Sequence, residues 1–386
     1  MATDRDRGDV LTVNPGSSSL KLAVVDAGDA VVAAATAALP AGTPVRDAID
    51  AFVGHEPRAA AATAIGVRVV HGGAHFTRPV VVDAAVAGAL GGLRDLAPLH
   101  NLAALDAINL LTSLVPHRSV VACFDTSFHA TLPAAAATYA LPWEWIERFG
   151  LRRFGFHGLS HAWASRRAEA LAGVAGPKPA RDLRIVTCHL GAGASLAAVV
   201  GGVCVDTTMG FTPVDGLVMA RRSGSVDPGM LAWLIRHGGI GVAELEEALD
   251  TRSGLAGLSG VDSGDMRAVL DAADRGDRRA RLALDVYVHR LAASIAAMAS
   301  AMGGVDVVVF TGGVGEGAPV IRSRTAEKLA FLGVVLDVAA NAGAGAASVA
   351  DQDIGQADAP VRCFVVHARE DVEIAREVRT LLSAAT

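Results

Sequence analysis

One pattern occurs twice in this sequence, and it limits the fold more than any other feature. From Val10 to Asp26, VLTVNPGSSSLKLAVVD, an apolar run enters a Gly/Ser/Pro tip and returns as an alternating apolar strand. From Ile185 to Gly202, IVTCHLGAGASLAAVVGG repeats the scheme around a Gly-rich tip. Each reads as a β-hairpin with an unusual tip. Two such units, far apart in a chain of 386 residues, point to a duplicated architecture and two domains.

Between and after the hairpins, apolar helices alternate with short Val/Ile-rich strands. The strands include Ser119–Asp125, Ile185–His189 and Asp306–Thr311; the helices include Asn101–Leu114, His161–Ala172 and a long one over Ala280–Met302. That alternation predicts an α/β protein with mixed sheets. Pro133 and Pro142 mark a crossing between domains, and the Ala/Gly-rich Ala339–Ala350 reads as a surface segment. The most apolar stretch, Leu291–Gly315, is interrupted by Asp306 and fits a buried helix followed by a buried strand better than a membrane span. The start, Thr3-Asp4-Arg5-Asp6-Arg7, is not a signal peptide, so a cytoplasmic protein without a membrane partner is expected. Net charge is −6, which argues against a surface for nucleic acid or anionic lipid. Cys123, Cys188, Cys204 and Cys363 are scattered, as buried thiols in a reducing compartment would be.

Several segments carry residues suited to phosphate chemistry. In the first tip, Asn14, Ser17, Ser19 and Lys21 can face one ligand, although such a tip is also compatible with a plain turn. Lys21 is one of three lysines, with Lys178 and Lys328, among 34 Lys and Arg residues. The tip lacks the glycine–lysine–serine order of a Walker loop. VRVVHGG places Arg68 on a strand before paired glycines, as a fork for a carboxylate or phosphate or as a surface ion pair. FDTSFH puts Asp125 at a strand's C-terminal end, where it either binds Mg²⁺ and orients a nucleophile or caps the chain. FGFHGLSH has His157 and His161 four apart, but Gly158 stands where a zinc protease needs Glu, so contact with a phosphoryl oxygen fits His157 better. MGFTPVDGLVMARRSGSVDP offers Arg221 and Arg222 as a second cation for spread phosphoryl charge or as a solvated pair. FTGGVGEG closes a late strand with glycines that can pack against a nucleotide; no acidic residue ends a second strand about 20 residues on, which disfavours a dinucleotide fold.

Taken in order, these segments resemble the acetate kinase family of the actin-like sugar kinase and heat-shock ATPase superfamily. The likeness runs from Val10 to Arg376. It implies a duplicated actin-like (ribonuclease H-like) two-domain α/β fold with mixed sheets and an interdomain cleft. Residues 1–135, completed by a C-terminal helix over 372–386, would form one domain, and residues 136–371 the nucleotide-binding one. By the same resemblance, Asn14 and Glu370 (in VVHAREDVEIARE) hold Mg²⁺, for which Mn²⁺ can substitute. Asp125, His157, Arg222 and Arg68 are catalytic. The acid meets Arg68, Val70, Leu99, His100, Phe156 and Pro213. ATP meets Ser17, Ser19 and Lys21, then His189, Leu190, Gly191, Ala192 and Gly193, then Asp265, Met266 and Arg267 in SGDMR, and finally Gly313, Val314, Gly315, Glu316 and Gly317. A homodimer is implied.

The chain departs from the family pattern at Ala192 and Gly317, where Asn is usual, at Ala220-Arg221, where Gly-Thr is usual, and at Ala368-Arg369, where Thr-Asn is usual. The stretch between Lys21 and Arg68 is short for the family. The implied reaction is reversible phosphoryl transfer from ATP to acetate, giving ADP and acetyl phosphate. Rival readings are a propionate or butyrate kinase, a nucleotide-binding regulator that has lost catalysis, and an enzyme using pyrophosphate or another donor.

Overall fold

The computed structural model describes residues 8–16, 19–38, 45–93, 98–115, 117–173, 179, 182–345 and 350–384, the side chains of residues 98–100 excepted. The chain divides into two compact units. Unit 1 is Met1–Ala130, Phe156–Trp163 and Arg369–Thr386; unit 2 is Thr131–Gly155 and Ala164–Ala368.

Unit 1 is built on a six-stranded sheet of β1 (Val10–Pro15), β2 (Ser19–Val25), β3 (Val31–Ala38), β4 (Ala64–Val69), β5 (Val80–Val81) and β6 (Ser119–Phe124), in the order β3-β2-β1-β4-β6-β5. The expected first hairpin is present as antiparallel β1 and β2, with Asn14 opposite Lys21 and Pro15 opposite Leu20. β1, β4 and β6 run parallel, so their C-terminal ends lie side by side. One face of the sheet buries Leu11, Val13, Ile65 and Val67 with Ile49 and Ile108. The other buries Val10, Val25 and Val121 beneath Ile374, Ala375 and Val378 of helix Glu370–Ser383. That helix lies very close to β4. A Cβ on Gly66 would stand 2.3 Å from Ile374 Cγ2, so only glycine fits there.

Unit 2 repeats this plan strand for strand. Its strands are β7 (Arg184–Leu190), β8 (Ala194–Val200), β9 (Val203–Thr207), β10 (Val307–Thr311), β11 (Gln352–Asp353) and β12 (Arg362–Val365), in the order β11-β12-β10-β7-β8-β9. β7, β8 and β9 form the antiparallel part; β7, β10 and β12 are parallel, and the short β11 pairs antiparallel with β12. β5 holds the matching place beside β6. The duplication suggested by the two hairpins is therefore a repeat of the whole sheet.

Helix Arg278–Ala301 is long and apolar enough by composition to cross a membrane. Its buried Ala280, Ala283, Leu284, Tyr287, Val288, Leu291, Ala292 and Ile295 follow the three- and four-residue spacing of one helix face. That face packs on β7, β8 and β9, which makes it a core helix. Ala339–Ala350 is at the surface as expected, with Ala339, Ala342, Gly343 and Ala350 exposed, while Asn341 and Ala344 turn inward. Val338–Gly343 is a helix whose Asn341 is buried, because Asn341 takes hydrogen bonds from a guanidinium 19 residues earlier; residues 346–349 lie outside the described chain.

Candidate active site

Three neighbouring strand ends of unit 1 present Asn14 from β1, Arg68 from β4 and Asp125 just past β6. Arg68 grips Asp125 as a fork, Nε to Oδ1 at 3.0 Å and Nη2 to Oδ2 at 2.6 Å. Its Nη1 donates to Asn14 Oδ1 at 3.1 Å, and Asn14 Nδ2 donates to Glu370 Oε2 at 2.7 Å. Glu370 Oε2 also stands 3.7 Å from Arg68 Nη1. A residue 356 positions away thus closes a four-residue cluster, brought there by the first turn of helix Glu370–Ser383.

The electrostatics follow from burial. Asp125 is 1 % exposed. Desolvation pushes its carboxyl above the usual range, Arg68 opposes this, and Glu370 adds to the rise. Desolvation works against the Arg68 cation, yet Asp125 and Glu370 more than offset it and hold the guanidinium charged. With all three groups ionised the cluster carries one excess negative charge, suited to a cation.

His157 has φ of 55°, the left-handed region, which is uncommon for a side chain of this size. Two contacts fix it there. The Asp125 carboxylate accepts from the backbone N–H of His157. A Cβ on Gly158 would stand 2.0 Å from the Asp125 carbonyl, so the chain passes where only glycine can. His129 Nε2 bonds the Phe156 carbonyl at 2.9 Å and steadies the same loop. Burial pulls the His129 imidazole down to about 4. Phe156 is buried edge-on against His71, its ring centroid 5.3 Å away, and Val70 is buried next along the chain from that histidine. Ser19 and Lys21 lie on β2, with Lys21 exposed. Ser17 and the side chains of Leu99 and His100 lie outside the described residues.

In unit 2 the remaining site candidates form a second group. Ala220 N–H donates to the Ala192 carbonyl at 3.0 Å, so two positions that depart from the family pattern touch each other. Gly264, with φ of 62°, passes so close to Ala220 that a Cβ would lie 2.0 Å from its carbonyl oxygen. Asp265 follows as the cap of helix Met266–Asp274; its Oδ1 accepts from Arg267 and Ala268, Met266 is buried, and the Arg267 side chain is exposed. Gly312, φ of 78°, likewise passes Leu190 of the hairpin tip, where a Cβ would meet the carbonyl at 2.9 Å. The segments His189–Gly193, Ala220, Gly264–Arg267 and Gly312–Gly317 are thus linked by backbone contacts. Arg222 donates Nη1 to the Pro213 carbonyl at 2.7 Å and lies 3.8 Å from Asp250; burial weakens its hold on its proton and Asp250 opposes that. Arg221 instead donates Nε to the Thr251 carbonyl.

Sequence reasoning missed two features of this group. Glu316 is a tie: Oε1 accepts from Gly312 and Ala368 N–H, and Oε2 meets His367 Nδ1 at 2.7 Å. Arg322 is a fully buried cation, its pKa drawn down to about 10 by burial, with five hydrogen bonds going to neutral oxygens. No local signal marks either residue, since their partners come from other segments.

Two sheets of one strand order, a charged cluster at the strand ends of one and a glycine-lined group in the other define a kinase of the duplicated actin-like fold. Comparison with known proteins narrows this. The family model described as the acetokinase family matches residues 44–376, and the chain belongs to that family. It is 48% identical over 314 residues to the acetate kinase of Gloeobacter violaceus, covering 81% of this chain and 75% of that one. Among solved structures, the acetate kinase of Porphyromonas gingivalis superposes with a TM-score of 0.86 at 34% identity, covering 97% of this chain and 100% of that one. A propionate kinase from Francisella tularensis gives 0.85 at 32% identity over 96% and 98% of the two chains.

Proposed function

We propose that this protein catalyses reversible, Mg²⁺-dependent transfer of the ATP γ-phosphoryl group to acetate, giving acetyl phosphate and ADP. The observation that carries this reading is the buried Asn14–Arg68–Asp125–Glu370 cluster at the ends of three adjacent strands. A carboxylate acceptor is already anionic, so no strong base is required; the task is to hold two anions together. Arg68 takes the acid's carboxylate and the moving phosphoryl oxygens, with Asp125 fixing the guanidinium plane. Arg222 supplies the second cation, and His157, pinned through its backbone, donates to the charge-spread phosphoryl oxygens. Val70, Leu99, His100, Phe156 and Pro213 surround the acid, and the unit 2 group with Ser17, Ser19 and Lys21 takes the nucleotide.

The residues fit a magnesium ion. Asn14 and Glu370 offer hard oxygen donors beside a net negative charge, and Mg²⁺ is commonly held by one or two such groups plus substrate phosphates and water. Among the described residues no cluster of three His, Cys, Asp or Glu exists. When bound, the ion neutralises phosphate charge.

A cytoplasmic homodimer completes the proposal. All four cysteines are buried and stand outside any disulfide. Helices Trp143–Phe149, Pro228–His237 and Val242–Glu247 of unit 2 bury no residue, yet expose Trp143, Trp145, Phe149, Met230, Trp233, Ile235 and Val242.

The test traps acyl phosphate as its hydroxamate with acetate, propionate and butyrate, each against ATP, GTP and pyrophosphate. Acetate with ATP should give the highest kcat/KM; no product under any pairing would leave a regulator. The propionate kinase likeness favours the one alternative acid. One methylene changes discrimination by roughly 1–3 kcal/mol, so a propionate preference of tenfold or more in kcat/KM would reassign the substrate.

A further inference from the structure

Arg322, on helix Pro319–Lys328, is 0 % exposed. Five hydrogen bonds use its five N–H donors. Nε donates to Asn341 Oδ1 at 2.7 Å; Nη1 to the Gly315 carbonyl at 2.8 Å and the Glu316 carbonyl at 2.7 Å; Nη2 to the Asn341 and Ala344 carbonyls, both at 2.8 Å. Among the described residues no carboxylate pairs with it. Its charge is balanced instead by carbonyl oxygens at the C-terminal ends of two short helices, Gly312–Gly317 and Val338–Gly343. Asn341 is itself held by donating to the Pro319 carbonyl and Ser323 Oγ.

The Gly312–Gly317 turn is tied on its other side through Glu316, whose Oε1 accepts from Gly312 and Ala368 N–H and whose Oε2 meets His367, so Arg322 holds the carbonyls that Glu316 does not reach. Four of its six residues are glycine, the first at φ of 78°, and a Cβ on Gly313 or Gly317 would meet nothing within 4 Å. A stretch this rich in glycine loses more conformational freedom on ordering than any other. We infer that Arg322 is the positioning residue of the nucleotide site: its guanidinium pre-forms the Gly312–Gly317 turn, so that nucleotide affinity, and not handling of the acid, depends on it. This rests on the assignment of that turn to the nucleotide. Misplacing a binding segment by about 1 Å costs on the order of 10²-fold, so partial loosening should cost about tenfold.

The experiment compares Arg322→Met and Arg322→Lys with the unaltered protein. ADP affinity is read by calorimetry, and KM for ATP and for acetate by steady-state assay. Lysine keeps the charge with three donors in place of five. The expected result is a Kd for ADP and a KM for ATP raised about tenfold in Arg322→Met and less in Arg322→Lys, with KM for acetate changed under twofold. A folded variant with unchanged ADP affinity, or with both KM values raised alike, would overturn the inference. If the unaltered protein binds no ADP, the nucleotide assignment fails instead. Should neither variant fold, amide exchange in the unaltered protein decides: Val314–Gly317 should already exchange slowly without nucleotide. Fast exchange that ADP alone slows would show that the ligand forms the turn.

Discussion

The two units use one sheet plan for opposite purposes. Unit 1 ends its parallel strands in side chains: amide, guanidinium and two carboxylates locked in one hydrogen-bonded cluster. Unit 2 ends two of the corresponding strands, β7 and β10, in glycine, with Gly191, Gly193, Gly312 and Gly313 at the tips, while β12 leads into His367, bonded to Glu316; the fully buried Arg322 donates to oxygens at helix ends. A duplicated scaffold thus carries a charged hydrogen-bonded cluster at the strand ends of one half and glycine-lined shape at those of the other, with Arg222 proposed as a cation drawn from the second half. Charge depends on the identity of single side chains. Shape depends on the absence of side chains and on packing behind the surface.

That contrast breaks most easily at Arg68. Arg68→Ala should lower kcat by about 10³-fold, as for other arginines that stabilise phosphoryl charge, with KM for ATP little changed. A loss below tenfold in steady-state turnover would remove charge as the role of unit 1.

A stability effect comes next. His129 is neutral and buried, its pKa about 4 against an ordinary 6.5. A lowered histidine pKa means the unfolded chain binds the extra proton more readily. The associated stability is complete above pH 6.5 and is lost as pH falls toward 4, in all roughly 3 kcal/mol. Unfolding free energies measured between pH 7 and 4 should fall more steeply in the unaltered protein than in His129→Gln; parallel curves would contradict this.

Gly312→Ala probes the shape half. An alanine at φ of 78° with its Cβ 2.9 Å from the Leu190 carbonyl is strained by about 1–3 kcal/mol. Reduced thermal stability and a raised KM for ATP are expected, with KM for acetate held. The smallest effect belongs to Ala192→Asn, which restores the usual family residue. Because the Ala192 contact to Ala220 is made by backbone, kcat should change by no more than about threefold. A larger change would mean that position 192 acts through its side chain and not only through its backbone.

Much of the scaffold was legible in the sequence because it is local. Alternating apolar residues around a Gly/Ser tip specify a hairpin within about twenty residues, and both hairpins lie where Val10–Asp26 and Ile185–Gly202 place them. The cluster was not legible that way. Asn14 and Glu370 meet across nearly the whole chain, and no periodicity links them; only the ordered family resemblance set them in one site. Arg322 illustrates the remaining blind spot. PVIRSRTAEK has the composition of a solvated helix, and what buries its first arginine is a ring of carbonyls, a chemistry that every residue carries and no sequence letter records.

The path of the chain through unit 1 has a consequence for synthesis. Residues 369–384 leave the ribosome after all of unit 2, yet Ile374, Ala375 and Val378 cover one face of the first sheet and Gly66 is shaped to receive them. Until they arrive that face is covered only in part, by Leu159, and Glu370 is missing from its partners. The half translated first is thus finished last, so every nascent chain passes through a stage with one sheet complete and the other waiting, a natural point of chaperone engagement.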